Sequence, residues 1–298
     1  MIRFCFRAIR WLFFAYLLIV LVACLGESYI YYQPTKMPDV PPEERVNFAE
    51  YMPERLVMEE VDFSSSDGTE LHGILFLSGD YVGENTIPIL FCHGNGEWMM
   101  RHRGWVFPRY EPGPAEFAFF LFDYRAFGYS KGRQGELCEK VVYADARSAR
   151  KWLAERVKKP EPEIVIMGHS LGGAVAVELA QDGTPGLALF ATFDTLPRVA
   201  QQHVPIFPAT LLMRNRFDSE TKIRDISAPL FYAHGTGDWV VPYVRGEKLY
   251  AAAGNPKKFV TLTCGHNDLP RDADLMEEVK DFVRECVKER QMLPAAED

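Results

Sequence analysis

Three residues of this chain have the types and the order needed to turn a hydroxyl into a nucleophile. Ser170 sits in Gly168-His169-Ser170-Leu171-Gly172, Asp238 closes His234-Gly235-Thr236-Gly237-Asp238, and His266 follows Gly265. A serine hydroxyl is a weak nucleophile near neutral pH. It becomes a strong one when a histidine takes its proton and a carboxylate orients that histidine. The G-x-S-x-G spacing suits a sharp strand-to-helix turn, in which side chains two positions from the serine must be tiny. Taken alone, the pentapeptide also fits an ordinary glycine-rich turn. What favours chemistry is its company: serine, then aspartate, then histidine, each just past an apolar run.

Those runs are the elements that must hold the three side chains. Residues 164–167 (Ile-Val-Ile-Met) read as a buried strand leading into Ser170, and residues 174–180 continue as a helix. Residues 229–233 and 258–263 read as strands ending at the Asp238 and His266 loops. Residues 87–92 are a further strand, running into His93-Gly94-Asn95-Gly96. A turn of that kind aims backbone N–H groups at a developing oxyanion, so the amides of Asn95 and Leu171 are the candidate oxyanion donors. His93 reads as a residue that holds the turn. Residues 56–64 and 70–77 flank Ser65-Ser66-Asp67-Gly68 as a hairpin, and 117–122 and 187–191 are strands. Helical spacing marks 140–157 and 274–290. Strands alternating with helices predict a mainly parallel sheet covered on both faces.

Other residues compete for roles. Asp225 precedes its strand, Asp268 is too near His266 in sequence, and Asp218 lies in the segment between two strands. His169 packs beside the serine, His72 is structural, and Asp123 and Arg125 fix a loop near the site. Trp98, Met99 and His203 are candidate substrate contacts, although Trp98 and Met99 equally fit a helix face packed on the sheet. Arg101, His102 and Arg103 read as a solvated face. Cys92 and Cys264, at strand ends, read as small buried fillers.

The segments His93-Gly94-Asn95-Gly96, Asp123-Tyr124-Arg125-Ala126-Phe127-Gly128, Gly168 to Gly173, His234 to Asp238 and Gly265-His266 together resemble the α/β-hydrolase superfamily. They look most like its small, N-terminally membrane-anchored ABHD-type serine hydrolases. The resemblance spans about residues 55–290. It implies a mostly parallel eight-stranded sheet with helices on both faces and a small lid, residues 193–228, between strands 6 and 7. It also implies Ser170, Asp238 and His266 as catalytic residues, and it permits esterase, lysophospholipase and thioesterase activity alike. One departure is Ala126, where similar sequences carry glycine.

The first 32 residues form a separate unit. Arg3, Arg7 and Arg10 precede sixteen residues, 11–26, without a charge. That is slightly short of the roughly 20 a spanning helix needs, and Tyr29, Tyr31 and Tyr32 read as an interfacial aromatic belt extending it. A retained signal anchor is the first reading; a lipoprotein signal with lipid on Cys24 and a cleaved signal peptide are the others. The anchor places the catalytic part at a membrane on its non-cytoplasmic side. Residues 33–55 read as a proline-rich linker, 56–290 as the catalytic domain and 291–298 as a tail. The net charge of −8 and the lack of a basic run argue against nucleic acid. No C-x-x-C, H-E-x-x-H or phosphate-binding glycine motif occurs, so neither metal nor cofactor is expected. The expected activity is hydrolysis of acyl esters or thioesters, with a lipid-like substrate. The alternatives are a peptidase of the same fold and a non-catalytic membrane-tethered scaffold.

Overall fold

The computed structural model describes residues 2–46, 57–96, 99, 111–255, 257–269 and 272–292. Two helices lead, α1 (Ile2–Leu25) and α2 (Glu27–Tyr31). Strands β1 (Val57–Ser64), β2 (Glu70–Leu77), β3 (Tyr81–Cys92) and β4 (Pro114–Phe122) follow. Then come α3 (Glu139–Val157), β5 (Val165–His169), α4 (Leu171–Ala180) and β6 (Leu187–Phe190). The lid holds α5 (Leu196–His203), α6 (Ala209–Leu212) and α7 (Ser219–Lys222), and the chain closes with β7 (Leu230–Gly235), α8 (Tyr243–Ala252), β8 (Lys257–Leu262) and α9 (Ala273–Met292).

The eight strands form one sheet in the order β1-β2-β4-β3-β5-β6-β7-β8. Both pairings of β2, with β1 and with β4, are antiparallel; every other pairing is parallel. This is the α/β-hydrolase fold expected from the sequence, with the lid between β6 and β7. The central strands are buried and mainly apolar through their middles, as at residues 87–92 and 165–167, because both faces are covered. Leu90, Phe120 and Ile166 point into one core with residues of α3, α4 and α8. Their neighbours Ile89, Phe119 and Val165 point into the other core with residues of α9. A parallel sheet puts its loops of interest at one edge, the carboxyl ends of the strands.

Two expectations change. The stretch expected as a linker is strapped to the domain as far as it is described. Met37 donates its N–H to the Gly128 carbonyl (2.8 Å), Lys36 bridges Gly128, and Val46 donates to the Tyr129 hydroxyl (2.9 Å). Residues 47–55 lie outside the described residues. Of the three tyrosines expected as an interfacial belt, Tyr29 is 62% exposed, but Tyr32 is only 1% exposed and sits in the core, with Tyr31 packed against it. Among the described residues no helix is long and apolar enough to cross a membrane.

Candidate active site

Ser170 occupies the turn between β5 and α4 with φ 55° and ψ −122°. A non-glycine residue at positive φ is strained, and such strain persists only where surroundings enforce it. The enforcement is visible. The Ser170 N–H donates to the Phe190 carbonyl (2.9 Å), and the Thr192 hydroxyl donates to the Ser170 carbonyl (2.7 Å). A Cβ on Gly168 would overlap the Gly172 carbonyl, and one on Gly172 would overlap the carbonyls of Cys92 and His93. Those glycines are therefore required by contact.

The turn after β3 lies against the elbow. A Cβ on Gly94 would meet the Ser170 Cβ at 3.2 Å. His93 is fully buried; its Nδ1 pairs with the Gly94 carbonyl (2.8 Å) and its ring lies 4.5 Å from that of Tyr124. It holds the turn, as expected. Leu171 is the first residue of α4, so its N–H is one of those a helix leaves without an intrahelical acceptor. The Asn95 side chain is held from an unforeseen side: its Oδ1 accepts the Gln33 N–H (2.9 Å) and its Nδ2 donates to the Tyr31 carbonyl. The N-terminal segment thus fixes the turn that carries one candidate oxyanion donor.

Asp238 and His266 meet. The His266 Nδ1 lies 2.6 Å from the Asp238 Oδ2, across 28 residues of sequence. The Asp238 Oδ1 accepts the N–H groups of Val240 (2.9 Å) and Val241 (2.8 Å). Burial alone would raise the Asp238 pKa. Hydrogen bonds from His234 and His266 outweigh it and hold the carboxyl well below the usual carboxylate range. The His169 ring is 4.8 Å from the His266 ring, and its Nε2 pairs with the His266 carbonyl (3.0 Å), so the His266 loop is tied to the residue preceding Ser170.

Sequence reasoning missed His234. It is fully buried, with Nε2 3.1 Å from the Asp238 Oδ2 and 2.9 Å from the Val241 carbonyl. Both partners accept only, so Nε2 carries a proton. Its Nδ1 faces the Tyr232 hydroxyl (3.1 Å), which in turn donates to the Thr192 carbonyl (2.8 Å). The only available signal was its place four residues before Asp238.

The remaining candidates fall elsewhere. Met99 is fully buried in the core that holds Phe119 and Phe91, and its N–H donates to the Asp123 Oδ1 (2.6 Å). It is a packing residue, not a substrate contact. Trp98, Arg101, His102 and Arg103 lie outside the described residues. His203 is exposed on the lid, and its Nε2 pairs with the Val240 carbonyl (2.9 Å), joining α5 to the Asp238 loop. Asp218 caps α7 through the Thr221 N–H (3.2 Å), and Asp268 accepts the Gly265 N–H (3.0 Å). Burial pushes the Cys92 thiol up to about 12, which makes it inert filler. Arg125 binds Asp145 and Asp67 (2.8 Å each), a structural pairing that shapes the loop after β4.

Residues 89–252 match the family model described as the alpha/beta hydrolase family. The chain is also 30% identical over 223 residues to the uncharacterized protein YfhR of Escherichia coli K12, covering 73% of this chain and 76% of that one. It is 34% identical over 212 residues to the uncharacterized protein Rv2307c of Mycobacterium tuberculosis H37Rv, covering 70% and 72%. Among solved structures, the esterase Pf2001 of Pyrococcus furiosus superposes with a TM-score of 0.62 over 86% of this chain and 98% of its own. At 14% identity that likeness speaks to the fold alone. The chain belongs to the alpha/beta hydrolase family.

Proposed function

We propose that this protein is a serine hydrolase cleaving carboxylic esters or thioesters of acyl chains through an acyl-enzyme. The observation carrying the proposal is the 2.6 Å pairing of the His266 Nδ1 with Asp238 at the elbow's edge. With the proton on Nδ1 and held by the carboxylate, Nε2 is left as the base. The Ser170 Oγ attacks the acyl carbonyl carbon while His266 Nε2 takes its proton. The carbonyl oxygen becomes an oxyanion received by the Asn95 and Leu171 amides, each worth about 3–4 kcal/mol in systems of this kind. The imidazolium then protonates the leaving alcohol or thiol as the acyl bond breaks. Water, deprotonated by the same Nε2, attacks the acyl-enzyme and restores Ser170. His234, on the far side of Asp238, is the positioning residue that keeps the carboxylate aimed at His266.

In this reading the chain is a small ABHD-type enzyme, with its N-terminal segment seated in a membrane and its catalytic domain on the non-cytoplasmic side. The arginines at 3, 7 and 10, ahead of the apolar stretch, support that orientation. Protease protection in sealed vesicles checks it, and a protected catalytic domain in right-side-out vesicles removes it.

A fluorophosphonate probe tests the nucleophile. The wild type takes up the label and Ser170→Ala does not; equal labelling ends the proposal. p-Nitrophenyl esters of rising chain length then read the acyl preference, and a flat profile removes the acyl-chain class.

A further inference from the structure

Exposed apolar side chains gather at one place on this molecule. Among the described residues beyond 31, the exposed large apolar side chains are Val204, Ile206 and Leu211 on the lid, Trp239 directly after Asp238, Val244 at the start of α8 and, elsewhere, Tyr81 and Met292. Ile206 is 78% exposed, and Leu211 and Trp239 are each 79% exposed. Single exposed apolar residues need no explanation, but a group on the lid and the loop bonded to it does.

Hydrogen bonds tie this group together and to α1. His203 joins the lid to Val240, the residue after Trp239 (2.9 Å). The Tyr16 hydroxyl of α1 donates to the Ile206 carbonyl (2.7 Å), and Arg214 of the lid donates to the Cys24 carbonyl (2.7 Å). Glu27, only 2% exposed, locks the joint: its carboxylate accepts the Arg214 N–H (2.8 Å), the Asn215 N–H (3.2 Å) and the Asn215 amide (2.6 Å). The lid is therefore hydrogen-bonded to the N-terminal segment at Tyr16, Cys24 and Glu27. Helix α1 exposes its own apolar surface, including Trp11, Leu12, Leu18 and Ile19.

Charge selects the occupant. Over its whole length, 193–228, the lid carries Arg198, Arg214, Arg216, Lys222 and Arg224 against Asp194, Asp218, Glu220 and Asp225, in a chain whose net charge is −8. Arg198 is paired with Asp194 and Glu220, while Arg214 and Arg216, close in sequence to Leu211, are exposed. Arg214 is 69% exposed. Exposed apolar side chains accompanied by two exposed arginines, on an otherwise acidic protein, fit lipid tails beneath anionic headgroups.

We propose that the lid rim and α1 together are a docking surface for an anionic phospholipid bilayer, so that the site opens onto the lipid phase and acyl substrate enters from the membrane. The entry route rests on the acyl-hydrolase reading above; the docking surface does not. The test uses the full chain reconstituted in phosphatidylcholine vesicles with brominated acyl chains, with and without phosphatidylglycerol. Quenching assigned to Trp239, as wild type minus Trp239→Phe, is expected, stronger with phosphatidylglycerol and lost in Ile206→Ser/Leu211→Ser. That double variant should lose about tenfold on a long-chain ester embedded in the vesicles while p-nitrophenyl acetate turnover stays within about twofold. An unquenched Trp239, or an equal fall on both substrates, overturns the proposal. So does a doubled mass of the solubilised protein that Ile206→Ser/Leu211→Ser halves, because the rim would then be covered by a second copy. Quenching without fluorophosphonate labelling of Ser170 upholds the docking surface and removes the catalytic reading instead.

Discussion

Asp123 follows β4 and Asp238 follows β7, and each carboxylate lies between two histidines. Asp238 has His266 at 2.6 Å and His234 at 3.1 Å. Asp123 has His93 at 3.6 Å and His72 at 4.0 Å. The residue types match; the surroundings do not. Asp123, His72 and His93 are all fully buried, and every approach is occupied: the Met99 N–H on Oδ1, Gly128 packed against Oδ2, and Glu60 on the far nitrogen of His72 (2.8 Å). Asp238 and His266 keep 6% and 8% of their surface, and His266 rides on a loop beside the elbow. An aspartate–histidine pair becomes a candidate catalyst when one ring nitrogen is left facing a nucleophile. Closed on all sides, the same pair is a clamp on a loop.

The sharpest way to break this comparison is to cut each carboxylate. Asp238→Asn should lower kcat by about 10⁴-fold, because the wrong His266 tautomer is favoured while the geometry stays. Its urea unfolding midpoint should move little. Asp123→Ala should do the reverse. It takes one partner from each of buried His72 and His93 and removes the acceptor of the Met99 N–H, at a cost of about 3–5 kcal/mol in unfolding free energy. Activity per folded molecule should stay within about threefold. If both variants lose activity and stability alike, the two clusters are not functionally distinct.

A smaller effect sharpens the catalytic side. His234 gives Asp238 a second hydrogen bond, and a bond to a charged group is worth about 1.5–3 kcal/mol. His234→Phe should therefore lower kcat by about 10–100-fold with KM little changed. His234→Gln, whose amide can still donate, should recover part of that loss. Unequal KM effects, or no rescue by glutamine, would make His234 a packing residue only.

The sheet and the elbow were legible because short-range pattern encodes them. The strand expected at 70–77 is Glu70–Leu77 in the structure, bounded by a turn and covered on both faces. The strand expected at 87–92 starts earlier, at Tyr81, because a polar stretch and a register shift between Val82 and Ile87 hide its edge half. The His266–Asp238 pairing was legible in outline, as two loops at the same end of neighbouring strands. What escaped were contacts between distant segments. Tyr32 donates to Asn215 across 183 residues (3.2 Å), and Glu27 reaches Arg214 and Asn215. Aromatic and acidic residues after an apolar run look like an interfacial belt unless their partners are known. Met99 failed for a related reason: one buried N–H bond to Asp123 decides its role, and no local spacing announces it.

Ala126 tests the clamp with the smallest expected effect. It stands at φ 66° in the loop that closes over Asp123, where glycine would be unstrained. A left-handed L-residue costs about 1–2 kcal/mol. Against that, the Ala126 methyl is 2% exposed in the core, and a buried methyl contributes about 0.8 kcal/mol. Alanine also restricts the unfolded chain by about 0.5–1 kcal/mol relative to glycine. The terms nearly cancel, which explains how this loop keeps its shape without the glycine. Ala126→Gly should shift unfolding free energy by less than about 1 kcal/mol and leave kcat unchanged. Ala126→Val adds a β-branched side chain at positive φ in a closed space and should destabilise by more than about 2 kcal/mol, again with activity per folded molecule kept. Loss of kcat in either variant would mean that the Asp123 clamp communicates with Ser170, and the division between the two clusters would have to be redrawn.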